Sequence, residues 1–163
     1  MMISLKHLNR RVGAILVSLL LLLTLAVSAS AAAVKMSVGV RFWRETGDKE
    51  SMADSAVDTA REATLTRQPN GTFTLELPVK QISSMNVTGS LTGIRIGEVN
   101  YEGTLSGELS NGTAVLTLKN LPASVLTGSD SNQALAVTCS IKMDTVLLGD
   151  ITTSARMSVW VER

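Results

Sequence analysis

Ala63-Thr64-Leu65-Thr66-Arg67-Gln68-Pro69-Asn70-Gly71-Thr72-Phe73-Thr74-Leu75-Glu76-Leu77 is the stretch whose reading decides the fold. On both sides of Gln68-Pro69-Asn70-Gly71, apolar residues alternate with polar ones, which sends one face to a core and the other to water. Asn-Gly takes the positive φ that a tight hairpin turn needs, so two antiparallel strands are predicted here, the second closed by Pro78. A second Asn-Gly, Asn111-Gly112, stands between alternating runs over 101–109 and 113–118 and predicts another hairpin.

Working outward, Val34, Met36, Val38, Val40 and Phe42 alternate with Lys35, Ser37, Gly39 and Arg41, which predicts a half-buried first strand. Short extended runs are predicted at 82–87, 91–96 and 134–143, and a last strand carries Ala155, Met157, Val159 and Val161 inward. Residues 121–131 read as a loop with one helical turn. The segment Asp48 to Asp58 fits neither strand nor turn and reads as one short helical piece, capped by Asp48 or Ser51 and packed through Ala53, Ala56 and Val57. About seven or eight short strands with turn signals between them, and one short helix after the first strand, predict an all-β, immunoglobulin-like antiparallel β-sandwich.

Residues 1–31 read as a signal peptide. Lys6, Arg10 and Arg11 form a basic start, 14–26 is almost wholly apolar, and Ala29-Ser30-Ala31 supplies a cleavage site before Ala32. The competing reading is an uncleaved anchor, because 12–33 is uncharged and long enough to span a bilayer. The cleaved reading leaves one domain over 32–163 with no membrane span. It also removes three basic residues and no acidic one, leaving 12 basic against 14 acidic. A slightly acidic domain has no electrostatic footprint for nucleic acid.

Cys139 is the only cysteine, so no internal disulfide forms; it falls on the apolar face of 135–141 and reads as a buried small hydrophobe, with a reactive thiol or an intermolecular bridge as the alternative. The only histidine, His7, lies in the leader, which removes most hydrolytic triads and transition-metal sites from the remainder. Asp54 and Asp58 are spaced to share a helix face, but like charges there read as a solvated face. An enzyme is not predicted.

A first strand ending in an aromatic, then Lys49-Glu50-Ser51-Met52-Ala53-Asp54-Ser55-Ala56-Val57, then a Thr/Leu hairpin, resembles the NEAT domain, a haem-acquisition module of Gram-positive cell surfaces. The segment Met85-Asn86-Val87-Thr88-Gly89-Ser90-Leu91-Thr92-Gly93-Ile94 is similar to clostridial-type variants. The resemblance implies that the short helix forms the lip of a haem pocket, with Ser51 on a propionate and Met52 over the porphyrin face. The pocket floor would be the last hairpin, with Met143, Leu147, Arg156 and Trp160 as lining residues. Haem-binding members carry a Tyr-x-x-x-Tyr pair on that hairpin. This sequence has none there, since its single tyrosine is Tyr101. Ferric haem needs an axial donor; by the resemblance the pocket offers Met52 from the lip, with Met143 from the hairpin behind it, or no ligand.

Each residue also has an ordinary structural reading: Met52 as a staple of the helix on the sheet, Met143 as core, Arg156 as a surface cation, Trp160 as cover for the sheet. The function implied is an exported haem- or haemoprotein-binding module serving iron acquisition. The alternative is a NEAT-like domain without haem that recognises another surface protein.

Overall fold

The computed structural model describes residues 32–84, 87–144 and 149–162. Among them are ten strands, all antiparallel: β1 (Val34–Arg44), β2 (Ala63–Arg67), β3 (Phe73–Pro78), β4 (Ile82–Ser84), β5 (Val87–Ile96), β6 (Val99–Glu102), β7 (Thr104–Ser106), β8 (Val115–Leu121), β9 (Leu135–Met143) and β10 (Ile151–Val161). They follow the hydrogen-bonded order β4-β5-β9-β10-β1-β2-β3-β8-β7, with β6 beside β5. The helical content described is three short 3₁₀ turns, at Met52–Ala56, Ala123–Val125 and Ser131–Gln133.

β1 is the corner of the structure. Its first half pairs with β2 from Val34 to Val38, and its second half pairs with β10 from Val38 to Arg44. The strand therefore passes from one half of the sheet to the other at Val38. On the far side the chain makes the same passage at Gly103, whose N–H donates to Thr92 O at 2.8 Å. Before it β6 pairs with β5; after it β7 pairs with β8. A Cβ at position 103 would meet Leu116 Cδ1 at 2.3 Å, so glycine allows the crossing to lie against the core.

The all-β antiparallel class is as predicted, and the strand count exceeds the prediction for this reason. The run over 101–109 is two strands divided at Gly103, while 82–96 holds the two strands expected, with Gly89 inside β5 rather than between them. Both Asn-Gly turns form, with φ +82° at Gly71 and +70° at Gly112. Each is fixed in the same way: Asn70 Oδ1 accepts from Thr72 N–H and Oγ–H, and Asn111 Oδ1 accepts from the same groups of Thr113.

One apolar core fills the space between the two halves. Phe42, Leu65, Leu75, Leu77, Leu116, Leu118 and Met157 are all fully buried in it. Each such side chain is worth about 1.5–3 kcal/mol relative to exposure. Cys139 is buried among them, and burial pushes its thiol up to about 12. Among the described residues no helix is long and apolar enough to cross a membrane. The predicted leader, 1–31, lies outside the described residues, as do Met85, Asn86 and Leu147.

Candidate functional site

The segment after β1 doubles back on it before turning helical. Gly47 supplies a positive φ of +77°, Arg44 N–H donates to Lys49 O, and Glu50 bridges to Trp43. Ser51 N–H then donates to Phe42 O at 2.9 Å. From there Met52–Ala56 makes one 3₁₀ turn, anchored on its inner side by buried Ala53 and Ala56. Lys80 N–H donates to Ala56 O at 2.8 Å and ties the far end of the turn to the chain after β3. These contacts hold a segment too short to be helical alone.

Asp54 is the pin between this turn and β1. Its Oδ1 accepts from Phe42 N–H at 2.7 Å. Desolvation raises its pKa above the ordinary 3.8, against the opposing pull of that backbone hydrogen bond. The solvated face predicted for Asp54 and Asp58 is thus not what forms. Asp54 turns inward, while Asp58 accepts locally from Ala60 N–H. Nor does either predicted cap operate. Ser51 stands at the N-cap position with no capping bond, and Asp48 accepts from Ser131 Oγ–H instead.

What remains at the lip is an unused hydroxyl beside an exposed thioether. Ser51 Oγ is shielded from solvent and has no hydrogen-bond partner among the described residues. An unpaired buried hydroxyl costs about 1–3 kcal/mol, which a ligand acceptor reached by rotation about χ1 would relieve. Met52 is 45% exposed, so the stapling role read for it belongs to Ala53 and Ala56.

Of the other predicted site residues, Leu147 lies outside the described residues, and Met143, Arg156 and Trp160 are placed as follows. Arg156, opposite Trp43 in the β1–β10 register, donates from Nε to Arg44 O at 3.0 Å, from Nη1 to Ser131 O at 2.7 Å, and from Nη2 to Gly47 O. Its guanidinium clamps the loop after β1 to the turn before β9, which corrects its reading as a propionate partner. Beside it, buried Ser158 accepts from Trp43 Nε1–H at 2.9 Å and donates to Asp130 O, so the 127–133 loop covers this part of β10.

Met143 ends β9, opposite Gly89 of β5, half-buried against the core. Trp160 lies at the other end of the hairpin, about 30 Å from Ile151 along β10. There its indole covers Gly39, its partner in the register. Met143 and Trp160 therefore cannot line one slot. Tyr101 sits on β6 opposite Ile94 of β5, which in turn faces Cys139 of β9, so it stands two strands over from the last hairpin and not on it.

No known protein-family profile matches the chain, and no curated protein does. Among solved structures it is similar to the NEAT5 domain of IsdX2, a B. anthracis hemophore, in complex with heme, and to a point mutant of that domain, also in complex with heme. Each similarity has a TM-score of 0.48 and 8% identity, over 80% of this chain and 98% of that chain.

Tested against haem, the residues fit at the lip and not at the floor. The lip offers the unpartnered Ser51 hydroxyl and the exposed Met52. β10 offers no tyrosine, and Arg156 is engaged by backbone carbonyls. Among the described residues no group of three His, Cys, Asp or Glu side chains could hold a metal ion. Sequence reasoning missed Asp54 as the pin of the lip; an aspartate within the first turn after a strand was its only signal. It also missed the Arg156 clamp, whose acceptors are main-chain atoms and leave no mark in the sequence.

Proposed function

We propose that this chain is an exported haem-binding or haemoprotein-binding module of NEAT type, acting in iron acquisition at a Gram-positive cell surface. In this reading 1–31 is a cleaved signal peptide, 32–163 is the single working domain, and its role is binding rather than catalysis. The observation that carries the proposal is the lip: a buried hydroxyl without a partner at Ser51, next to an exposed methionine, on a turn pinned rigidly to β1. Haem would bring a ferric iron that takes an axial donor and propionates that take hydrogen bonds. Ser51 would hold a propionate, and Met52 would cover the ring face or donate its thioether to the metal.

A second reading is favoured by one observation, the lack of a tyrosine on β10. Without that donor the same lip would serve, in a domain without haem, as a recognition surface for another surface protein. Titration of haemin into protein purified from expression of the full-length chain separates the two. Saturable growth of a Soret band at one equivalent, weakened in Ser51→Ala and altered in position in Met52→Ala, supports haem binding. A titration that only tracks free haemin at micromolar protein eliminates it.

A further inference from the structure

We infer that the cleft between Trp160 and the loop joining the first 3₁₀ turn to β2 is a saccharide-binding site, with the indole as the platform for a neutral pyranose ring. The cleft encloses about 390 Å³ and is bounded by Val57–Ala63, the middle of β1 and the end of β10; neither Ser51 nor Met52 lines it. That volume lies within the range of small-ligand sites, about 300–1,000 Å³. The inference stands independently of the haem proposal.

The platform is fixed by its neighbour. Gly39 faces Trp160 across the β1–β10 rung, and a Cβ there would lie 2.2 Å from Cζ2 of the indole. Only glycine lets the ring settle onto the backbone of β1, which sets the indole before any ligand arrives. A flat aromatic face suits the apolar C–H face of a pyranose, and it costs little conformational entropy on binding.

The polar groups around the platform are sorted. Arg61 is spent: Nη1 donates to Gly112 O at 2.8 Å and Ala114 O at 2.9 Å, and Nη2 to Thr113 O at 3.2 Å. Arg41 lies 5.5 Å from the Trp43 ring centroid and 3.4 Å from Glu50. Both cations line the cleft but are already engaged, Arg61 also lying 3.9 Å from the Asp58 carboxylate there. The side chains of Glu62, Glu162 and Thr59, and Trp160 Nε1, border the cleft with no hydrogen-bond partner among the described residues.

Two carboxylates, a hydroxyl and one N–H form a set richer in acceptors than donors. Sugar hydroxyls are donors in quantity and match it. A phosphorylated ligand would meet the carboxylates with like charge, and a quaternary ammonium would find one aromatic wall instead of a cage. On the same face of β1, Ser37 Oγ is a second shielded hydroxyl without a partner, one rung beyond the platform.

The test follows the two indole N–H resonances by NMR while cellotriose, chitotriose, tetramethylammonium and adenosine monophosphate are added separately to protein from the full-length chain. Trp43 Nε1–H is held by Ser158 and serves as the internal reference. The expected result is a saturable shift of the Trp160 resonance with at least one trisaccharide and no movement of Trp43. Glu62→Gln and Glu162→Gln, both at exposed positions, should weaken binding by about fivefold each with the melting temperature unchanged. Gly39→Ala should abolish it by lifting the indole. No shift of the Trp160 resonance with either trisaccharide at tens of millimolar overturns the inference. So does a response confined to tetramethylammonium or adenosine monophosphate, or full affinity retained in Gly39→Ala.

Discussion

Replacing Arg156 by alanine distinguishes a structural clamp from a ligand contact. The guanidinium serves three main-chain carbonyls, of Arg44, Gly47 and Ser131, in two segments far apart in sequence. The bond to Ser131 O is partly buried, and its loss should cost about 1.5 kcal/mol, in the range for a hydrogen bond to a charged group. The other two are exposed, so water replaces them and each should cost about 0.5 kcal/mol. A total near 2.5 kcal/mol follows from those values, with the loop after β1 loosened. Arg156→Lys, with one compact ammonium in place of the planar fork, should recover less than half of it, or about 1 kcal/mol. Urea denaturation at pH 7 measures the loss, and hydrogen exchange at the Arg44 and Ser51 amides, which donate to Lys49 O and Phe42 O, reports the loosening. A loss below about 0.5 kcal/mol, the level of an ordinary surface substitution, would refute the clamp, most directly if haemin affinity fell in the same variant.

Two further outcomes follow from the burial of ionisable groups. Because the folded-state pKa of Asp54 is raised, its protonated form suits the fold better; that contribution is present at low pH and lost as pH rises from 3.8 through the raised value. Asp54→Asn keeps an acceptor for Phe42 N–H without the charge. It should therefore be at least as stable as the parent at pH 7 and equal to it at about pH 3, with a loss of more than about 1 kcal/mol at pH 7 counting against the argument. Cys139, buried and pushed up to about 12, should stay unmodified by iodoacetamide at pH 8 in the native state and react fully in urea; native-state labelling within minutes would contradict its place in the core.

Much of the fold was legible where the signal is local. Alternation over 36–42, 63–77 and 155–159 marked the inward apolar residues, because a half-buried strand has to alternate; Val34 and Val161 at the strand ends are exposed instead, and Ser158 is buried under the 127–133 loop. The two Asn-Gly-Thr turns were legible for the same reason, as three adjacent residues complete them. The passage of β1 between two partners and the break at Gly103 were not, since each depends on a strand remote in sequence.

The candidate site divides along the same line. The turn carrying Ser51 and Met52 interrupts the strand periodicity and shows in the sequence. Arg156 and Trp160 were assigned to a shared hairpin floor, but four residues along a strand separate them by about 13 Å. Their actual partners are backbone carbonyls and the missing side chain of Gly39, neither of which has a sequence signature.

The central claim is that the Ser51-Met52 lip faces haem, and methionine-methyl NMR tests it most directly. With ¹³C-labelled methionine, the account predicts that one equivalent of haemin displaces and broadens the Met52 methyl resonance, while that of Met36, six residues or about 20 Å along β1 from Phe42, moves far less. An unmoved Met52 methyl at saturating haemin would contradict the account.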